Sequence, residues 1–382
     1  MTLKPRILGS MEEISAAAWD GLANPDPVTF NPFVSHAFLS ALEASGSATR
    51  KSGWMASHLL LEDDGRLVAA APCYLKSHSM GEYVFDQGWA DAFERAGGHY
   101  YPKLQVAVPF SPVTAPKLLA PTAVLRDALA AALVQLCAAQ QASSVHVTFA
   151  LENDAAALSG KEWLLRNDIQ FHWFNEGYEN FDAFLAALSS SKRKNLRKER
   201  QAVHDAGITF EALTGDAIQP QHWDYFWEFY MDTGSRKWGQ PYLTRKFFKL
   251  IHASMRQHVL LIMAKRGDET IAGALNFIGG DTLYGRNWGC TENVPFLHFE
   301  TCYYQAMDFA MAHKLRVVEA GAQGDHKLAR GYVPVKTQSF HHLAHPGLSR
   351  AVAQFLAQER AAIAEGQEAL AAHAPFRHTE QE

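Results

Sequence analysis

The sequence is poor in the features that mark the commoner chemistries, and each shortage removes a class of answer. Only four cysteines occur in 382 residues, Cys73, Cys137, Cys290 and Cys302, widely separated and with no Cys-x-x-Cys pair. That spacing excludes a disulfide-stapled secreted fold and predicts reduced thiols. Charge of neither sign prevails: 35 Lys and Arg against 40 Asp and Glu leave a net of −5. The surface as a whole is therefore not built to hold DNA, and any anion site must be local. No apolar run reaches the length of a bilayer span, and Glu12 and Glu13 fall where a signal peptide needs an apolar core. A cytoplasmic protein with no membrane span is expected. Walker, GxGxxG, GxSxG and HExxH motifs are missing, as is any low-complexity linker.

What remains is an α/β pattern that occurs twice. The length predicts two cores of ordinary size, an N-terminal unit 1–175 and a C-terminal unit 176–382, and an apolar content of 48% is enough to fill both. In the first unit, Ser57–Leu61 and Leu67–Leu75 flank a Glu62-Asp-Asp-Gly-Arg66 turn. Leu104–Val108, an Ala-rich helix Val124–Gln141 and a strand Val145–Phe149 follow. The second unit repeats hairpin, strand, helix and strand as Val259–Lys265, Thr270–Ile278, Thr282–Cys290, Phe299–Lys314 and Arg316–Ala320. This order predicts a duplicated domain, although the halves share little sequence. Between them, the spacing of Phe181, Phe184, Leu185 and Leu188 predicts an amphipathic helix over Tyr178–Leu188, and Leu348–Leu370 reads as a final helix.

The stretch Thr270–Ser339 carries most of the candidate chemistry. Its Gly279-Gly280-Asp281 turn joins two β-rich runs. With a three-residue turn, Asn276 faces Tyr284, Ala274 faces Arg286 and Ala272 faces Trp288 on one side of the sheet, small residues opposite large ones as in a groove floor. A two-residue turn would change that facing. Asn276 and Arg286 are polar in strands that otherwise read as buried, so each must be paired or lie against a ligand. Pairing of Arg286 with Glu319 on a neighbouring strand is the plainer alternative. Glu319 is the candidate general base, because partial burial would raise a carboxyl toward the range useful for taking a proton from an amine; a purely structural glutamate stays open. On the loop after it, beside Asp325 and His326, Lys327 and Arg330 are candidates to neutralise a phosphate or an oxyanion.

The segment Ser189–Arg200 holds Lys192, Arg193, Lys194, Arg197, Lys198 and Arg200 against the single acid Glu199. With Ser191 as N-cap, three cations enter the first turn, where the helix dipole disfavours each by roughly 0.3–1 kcal/mol. Such opposition makes sense where an anion binds, which makes Arg193, Lys194 and Arg197 candidate donor-binding residues, with Arg193, Arg197 and Arg200 on one face. A solvated basic helix is the alternative. His341-His-Leu-Ala-His345 does not predict a metal, since adjacent histidines on a strand point to opposite faces and no nearby carboxylate or thiol completes a set. The aromatic stripe Trp223, Phe226, Trp227 and Tyr230 reads as core, and Pro109-Phe-Ser-Pro-Val-Thr114 as a loop beside the cleft.

In Ser191-Lys-Arg-Lys-Asn-Leu-Arg197, Tyr284-Gly-Arg-Asn-Trp-Gly289, His298-Phe-Glu300, the run Glu319–Tyr332 and the Pro109–Thr114 segment, the chain resembles the FemAB-like N-acyltransferases. These are a bacterial branch of the GNAT-type superfamily with two GNAT-like domains in tandem. The resemblance implies that fold, each domain a mixed, mostly antiparallel sheet flanked by helices. It also implies transfer of an acyl group to a small-molecule amine, with acyl-CoA as co-substrate and no bound cofactor. Transfer would be direct, because no cysteine sits in a nucleophile setting. Two departures accompany it. Where acetyl-CoA enzymes carry a glycine-rich pyrophosphate turn, this chain has Asn293-Val-Pro-Phe-Leu-His298, which cannot offer the same nest of N–H groups. The helical arm of the Fem aminoacyltransferases is missing, and Leu328 and Ala329 separate Lys327 from Arg330. An aminoacyl-tRNA donor and a non-catalytic protein that binds an anionic metabolite both stay open.

Overall fold

Turn residues decide where the strands of this chain begin and end. The structure, a computed structural model, describes residues 2–160, 162–237, 241–321, 325–372 and 375–376. The first half supplies β1 (Leu3–Leu8), β2 (Trp54–Ala56), β3 (His58–Asp63), β4 (Arg66–Ala71), β5 (Cys73–Lys76), β6 (Lys103–Val106), β7 (Ser144–Val147) and β8 (Leu164–Phe174). The second supplies β9 (Ile208–Thr214), β10 (Val259–Arg266), β11 (Glu269–Ile278), β12 (Thr282–Cys290), β13 (Val317–Glu319) and β14 (Val333–Leu343). Among the described residues these form a three-stranded sheet, β1-β3-β4, and an eleven-stranded sheet, β2-β5-β6-β7-β14-β8-β13-β12-β11-β10-β9. The expected strand Leu67–Leu75 is cut in two. Pro72 has no N–H to donate, so the chain leaves the small sheet after β4 and enters the large one as β5.

The repeated order appears as two matching quartets, β2-β5-β6-β7 and β10-β11-β12-β13 with β9 added at the edge, that exchange their closing strands. In the first, β6 runs parallel to β7; in the second, β12 runs parallel to β13; the other pairings are antiparallel. β14, from the end of the chain, closes the first quartet against β7, and β8, from the first half, closes the second against β13. β14 and β8 also pair with each other from Val333 opposite His172 to His341 opposite Leu164. The core is shared in the same way: Phe33 packs on Phe277 with ring centroids 5.0 Å apart, and Phe38 on Phe247 at 5.7 Å.

Helices flank this sheet. The Ala-rich helix spans Ala123–Ala139, the amphipathic one Phe181–Ala187 and the last Pro346–Ala372. The predicted helix Phe299–Lys314 is interrupted: Leu297–Phe299 leads into a π-helical turn, Glu300–Tyr304, before Gln305–Ala312 resumes α geometry. The aromatic stripe is core, as its spacing predicts, with Trp223, Phe226 and Tyr230 buried. No helix among the described residues is long and apolar enough to cross a membrane.

Beneath the first quartet lies a buried ionic cluster. Lys103 is fully buried and donates to Glu82 Oε2 and Asp86 Oδ2, each at 2.6 Å, and to Ser79 Oγ at 2.9 Å. Burial penalises its charge, but the two acids outweigh that and hold its pKa above the ordinary value. Removing the cation leaves two buried carboxyls with only Lys76, 3.7 Å from Glu82 and pulled down to about 7 by burial, as a neighbouring lysine. Lys103→Met is expected to lower unfolding stability by about 3–5 kcal/mol, read as a lower urea midpoint; a loss within 1 kcal/mol would mean that the acids find other partners.

Candidate active site

Three strands bring one row of side chains into register at the centre of the large sheet. Tyr284 on β12 pairs with Glu319 on β13, and Glu319 pairs with His172 on β8. Cross-strand partners project to the same face, so tyrosine, glutamate and imidazole stand side by side. Glu319 is also the last residue of β13, so the pairing of β13 with β12 stops there while β12 runs on to Cys290.

Arg286 joins this row two residues after Tyr284, at an irregularity in the hairpin. The turn holds two residues, Gly280 and Asp281, not three: Gly279 N–H donates to Thr282 O at 2.8 Å, and Phe277 faces Tyr284. The turn is clamped against the first half, where Gly280 N–H donates to Phe30 O at 2.9 Å and a Cβ at Gly280 would come within 2.0 Å of Val28 O. Asn276 therefore faces Gly285, and Arg286 is an extra residue that bulges out before Leu275 faces Asn287. None of the expected pairs forms; Ala274 faces Trp288 and Ala272 faces Cys290. The shared groove floor falls with them. Arg286 stands on the Tyr284 face, its guanidinium carbon 4.5 Å from the Phe33 ring and 5.3 Å from the Tyr284 ring. Asn276, next to Phe277 in the strand, takes the other face, 1% exposed, and donates only to Leu260 O and Ala274 O at 3.4 Å.

A loop from the first half roofs the row. Arg286 Nη2 donates to Glu319 Oε2 at 3.2 Å, Nε to Ser111 Oγ at 2.8 Å and Nη1 to Gly285 O at 2.9 Å. The neighbouring Pro112 O accepts from Gln170 Nε2 at 2.7 Å, and Gln170 Oε1 lies 3.4 Å from His172 Nε2. That nitrogen is 3.7 Å from Glu319 Oε1. The Pro109–Thr114 segment, expected beside a cleft, thus holds Arg286 with one residue and Gln170 with the next. Its Phe110, at φ 61°, stacks on the exposed Tyr242 with centroids 4.9 Å apart. Burial pushes nearby Tyr83 up to about 12, with Arg286 acting against it.

Two buried lysines interact electrostatically with the same row. Lys117 Nζ donates to Val113 O, Ala115 O and Phe149 O at 3.0–3.2 Å, and burial pulls it down to about 7 against the opposing pull of Asp154 and Glu319. Lys327 donates to Gly321 O at 2.8 Å; burial and then the charge of Arg286 pull it down to about 8. Lys327 is thus within electrostatic reach of Arg286. Residues 322–324 of the same loop lie outside the described residues.

The other expected donor-binding residues divide. The basic helix spans Ser190–Asp205 with Ser189, not Ser191, as N-cap and without a side-chain capping bond. Arg193 is half-buried and Lys194 exposed, and neither has an ion pair among the described residues. Arg197 makes an exposed pair with Asp182 at 3.1 Å, a contact of little energetic weight. Arg200 is held by Glu300 at 2.8 Å and Asp308 at 2.7 Å, beside a groove of about 500 Å³ that Arg197, Phe181 and His204 also line. Arg330 turns away from Glu319: it forks onto Glu199 at 2.7 and 3.1 Å, donates to His326 O and covers the Phe299 ring at 3.4 Å. Tyr304 also donates to Glu199. The one acid of the basic run thus fixes Arg330. Of the histidines near the end, His341 Nδ1 lies 2.7 Å from His146 Nδ1, His342 reaches Glu162 O and His345 accepts from Leu348 N–H.

Sequence reasoning missed His172, Gln170 and Lys117, and gave Ser111 and Glu199 no role of their own. The alternation of Gln170 and His172 with Phe171 and Trp173 was the available signal for the first two.

A profile of the FemAB-like family, described as peptidoglycan biosynthesis/recognition, matches residues 10–378. None of the curated proteins matches the chain. Among solved structures, FemX aligns with a TM-score of 0.53 and 11% identity over 92% of this chain and 100% of that one. A conserved protein of unknown function from Bacteroides thetaiotaomicron VPI-5482 gives 0.53 and 11% over 89% and 100%. L-PGS from Bacillus licheniformis gives 0.51 and 9% over 83% and 95%. At these identities the likeness is one of fold.

Lys117 predicts a pH dependence. Between about pH 7 and its ordinary 10.5, the unfolded chain keeps a proton that folded Lys117 has released, so its contribution to stability rises with pH. Urea melts from pH 7 to 10 should show the stability of the native protein climbing relative to Lys117→Met, by at most about 1.4 kcal/mol per pH unit. A constant difference would place the lysine's folded pKa near its ordinary value.

Proposed function

We propose, from the premise that this chain belongs to the FemAB-like family, that it transfers an acyl group from an activated carrier directly to an amine. The observation that carries the reading is the in-register row of Tyr284, Glu319 and His172, with Arg286 on the same face and bonded to Glu319. A transferase of this kind needs a fixed positive group for the acyl oxygen and an acceptor for the amine's proton, both held away from bulk water. Arg286 supplies the first: three of its contacts are to protein oxygens, and its side chain is 6% exposed. The pair of Glu319 and His172 supplies the second.

Acyl-CoA is the donor we favour, with Lys327 near the acyl end and Arg193, Lys194 and Arg197 for its phosphates. Arg330, committed to Glu199, supports the loop instead. Asn276 acts as a positioning residue beneath the bulge, since its Oδ1 lies 3.3 Å from where a Cβ on Gly285 would stand. A second reading, with aminoacyl-tRNA as donor, draws on a specific observation. Phe296 opens the helix after β12 at φ 65° with no glycine beside it, while Lys192, Arg193, Lys194 and Lys198 have no ion pair among the described residues. A run of unpaired cations suits a phosphate backbone.

Arg286→Lys keeps the charge and removes the fork. With acetyl-CoA and a panel of primary amines, thiol release is expected to fall roughly ten- to a hundredfold while the thermal shift caused by the donor is retained. Unchanged turnover would remove Arg286 from the reaction. A thermal shift with aminoacyl-tRNA only, falling steeply with salt, would favour the second reading; a shift with CoA without turnover would favour a binding protein.

A further inference from the structure

We infer that His172, through Nδ1, is the group that takes the proton from the attacking amine, with Glu319 and Gln170 as positioning residues. The inference rests on the acyl-transfer reading and deepens it. Its basis is the tautomer that the surroundings impose. Gln170 Nε2 donates to Pro112 O at 2.7 Å, and a carbonyl can only accept, so the amide cannot be turned the other way without losing that bond. Its oxygen is therefore the atom 3.4 Å from His172 Nε2. The second neighbour of Nε2, at 3.7 Å, is Glu319 Oε1. Two accepting oxygens on one ring nitrogen call for a hydrogen on it, which leaves the lone pair on Nδ1. Nδ1 makes no hydrogen bond to any described residue.

Glu319 is engaged on both sides. Oε2 accepts from Arg286 at 3.2 Å, and Oε1 faces the imidazole. A carboxylate between a guanidinium and an imidazole is placed to orient the ring and to stabilise the imidazolium that forms, as in other acid–imidazole pairs. The charged groups around His172 are Glu319 from β13, Arg286 from the β12 bulge and Lys327 from the Asp325–Arg330 turn. Burial lowers its pKa below the ordinary 6.5, Glu319 opposes this, and Arg286 and Lys327 add to it. The ring is thus neutral at pH 7, as a proton acceptor must be.

With a thioester donor the step balances. The neutral amine nitrogen attacks the carbonyl carbon, the N–C bond forms, the C–S bond breaks and its electron pair leaves with sulfur. The proton shed by nitrogen passes to His172 Nδ1 and from there to the departing thiolate, giving amide and thiol.

Two measurements test this. In selectively ¹⁵N-histidine-labelled protein at pH 7.5, long-range ¹H–¹⁵N spectra should show His172 as the Nε2–H tautomer; an Nδ1–H ring would overturn the assignment while leaving acyl transfer intact. In thiol release from acetyl-CoA with primary amines, kcat/KM should fall toward acid with a pKa below 6.5. His172→Gln should lose this limb and at least about a hundredfold in rate. Glu319→Gln should keep part of the rate and shift the limb to lower pH, because the charge that raises the imidazole is gone. A His172→Gln enzyme with the native rate or the native limb would sink the assignment alone. No thiol release by the native protein with any amine would instead bring down the acyl-CoA reading on which it rests.

Discussion

The insertion of β14 between β7 and β8 is the constraint on which the rest of the structure depends. Each quartet ends in a parallel pair whose outer strand would present an unpaired edge, and an open edge attracts other chains. Here each edge is closed by a strand from the opposite half, β13 by β8 along Val317–Glu319 and β7 by β14 along Phe340–Leu343. The exchange also fixes the two quartets in one frame. His172, which comes from the first half, can then sit in register with Glu319, from the second, without depending on a loop for its position.

That frame explains how a buried guanidinium is tolerated. Taking Arg286 out of water costs several kcal/mol, and a single carboxylate seldom repays it. Three oxygens share its donors, and the Phe33 and Tyr284 rings flank the cation. Two of these partners, Ser111 and Phe33, belong to the first half. Alternation along β12 sets Arg286 on the Tyr284 face, and the bulge leaves it without a partner residue on β11. The two-residue turn is what separates Asn276 from Arg286, since it sets Phe277 against Tyr284 and sends Asn276 to the other face.

Much of the fold was legible in the sequence, because glycine turns and apolar runs are local signals. The hairpin around Gly279–Asp281, the helix of residues 123–139 and the repeated order all follow from them. The site was half legible. Glu319 and Arg286 stood out as polar residues in apolar strands, and they do meet. The two-residue turn depends on contact between Gly280 and the segment of residues 27–30, which no pattern around the hairpin encodes. His172 was hidden because its meaning lies in two partners far away in sequence. The basic segment misled in part: counting charge cannot tell Arg200 and its two acids from Lys194, which has none among the described residues, or show that Glu199 reaches Arg330.

The roof over the row decides how the site would work. Ser111 and Pro112 are consecutive, and one holds Arg286 while the other holds Gln170, which in turn fixes His172. A displacement of this short loop would therefore disturb the positive group and the imidazole together. Lys117 ties down the loop's far end through three carbonyls, and the stack of Phe110 on Tyr242 ties its near end to the second half. Electrostatic groups act most strongly when they are already in place before charge develops, so that no reorganisation is needed at the moment of reaction. The conformational cost of that order is met in folding, by backbone ladders and aromatic contacts between the halves. The row itself can then consist of side chains that, left to themselves, would be unfavourable to bury.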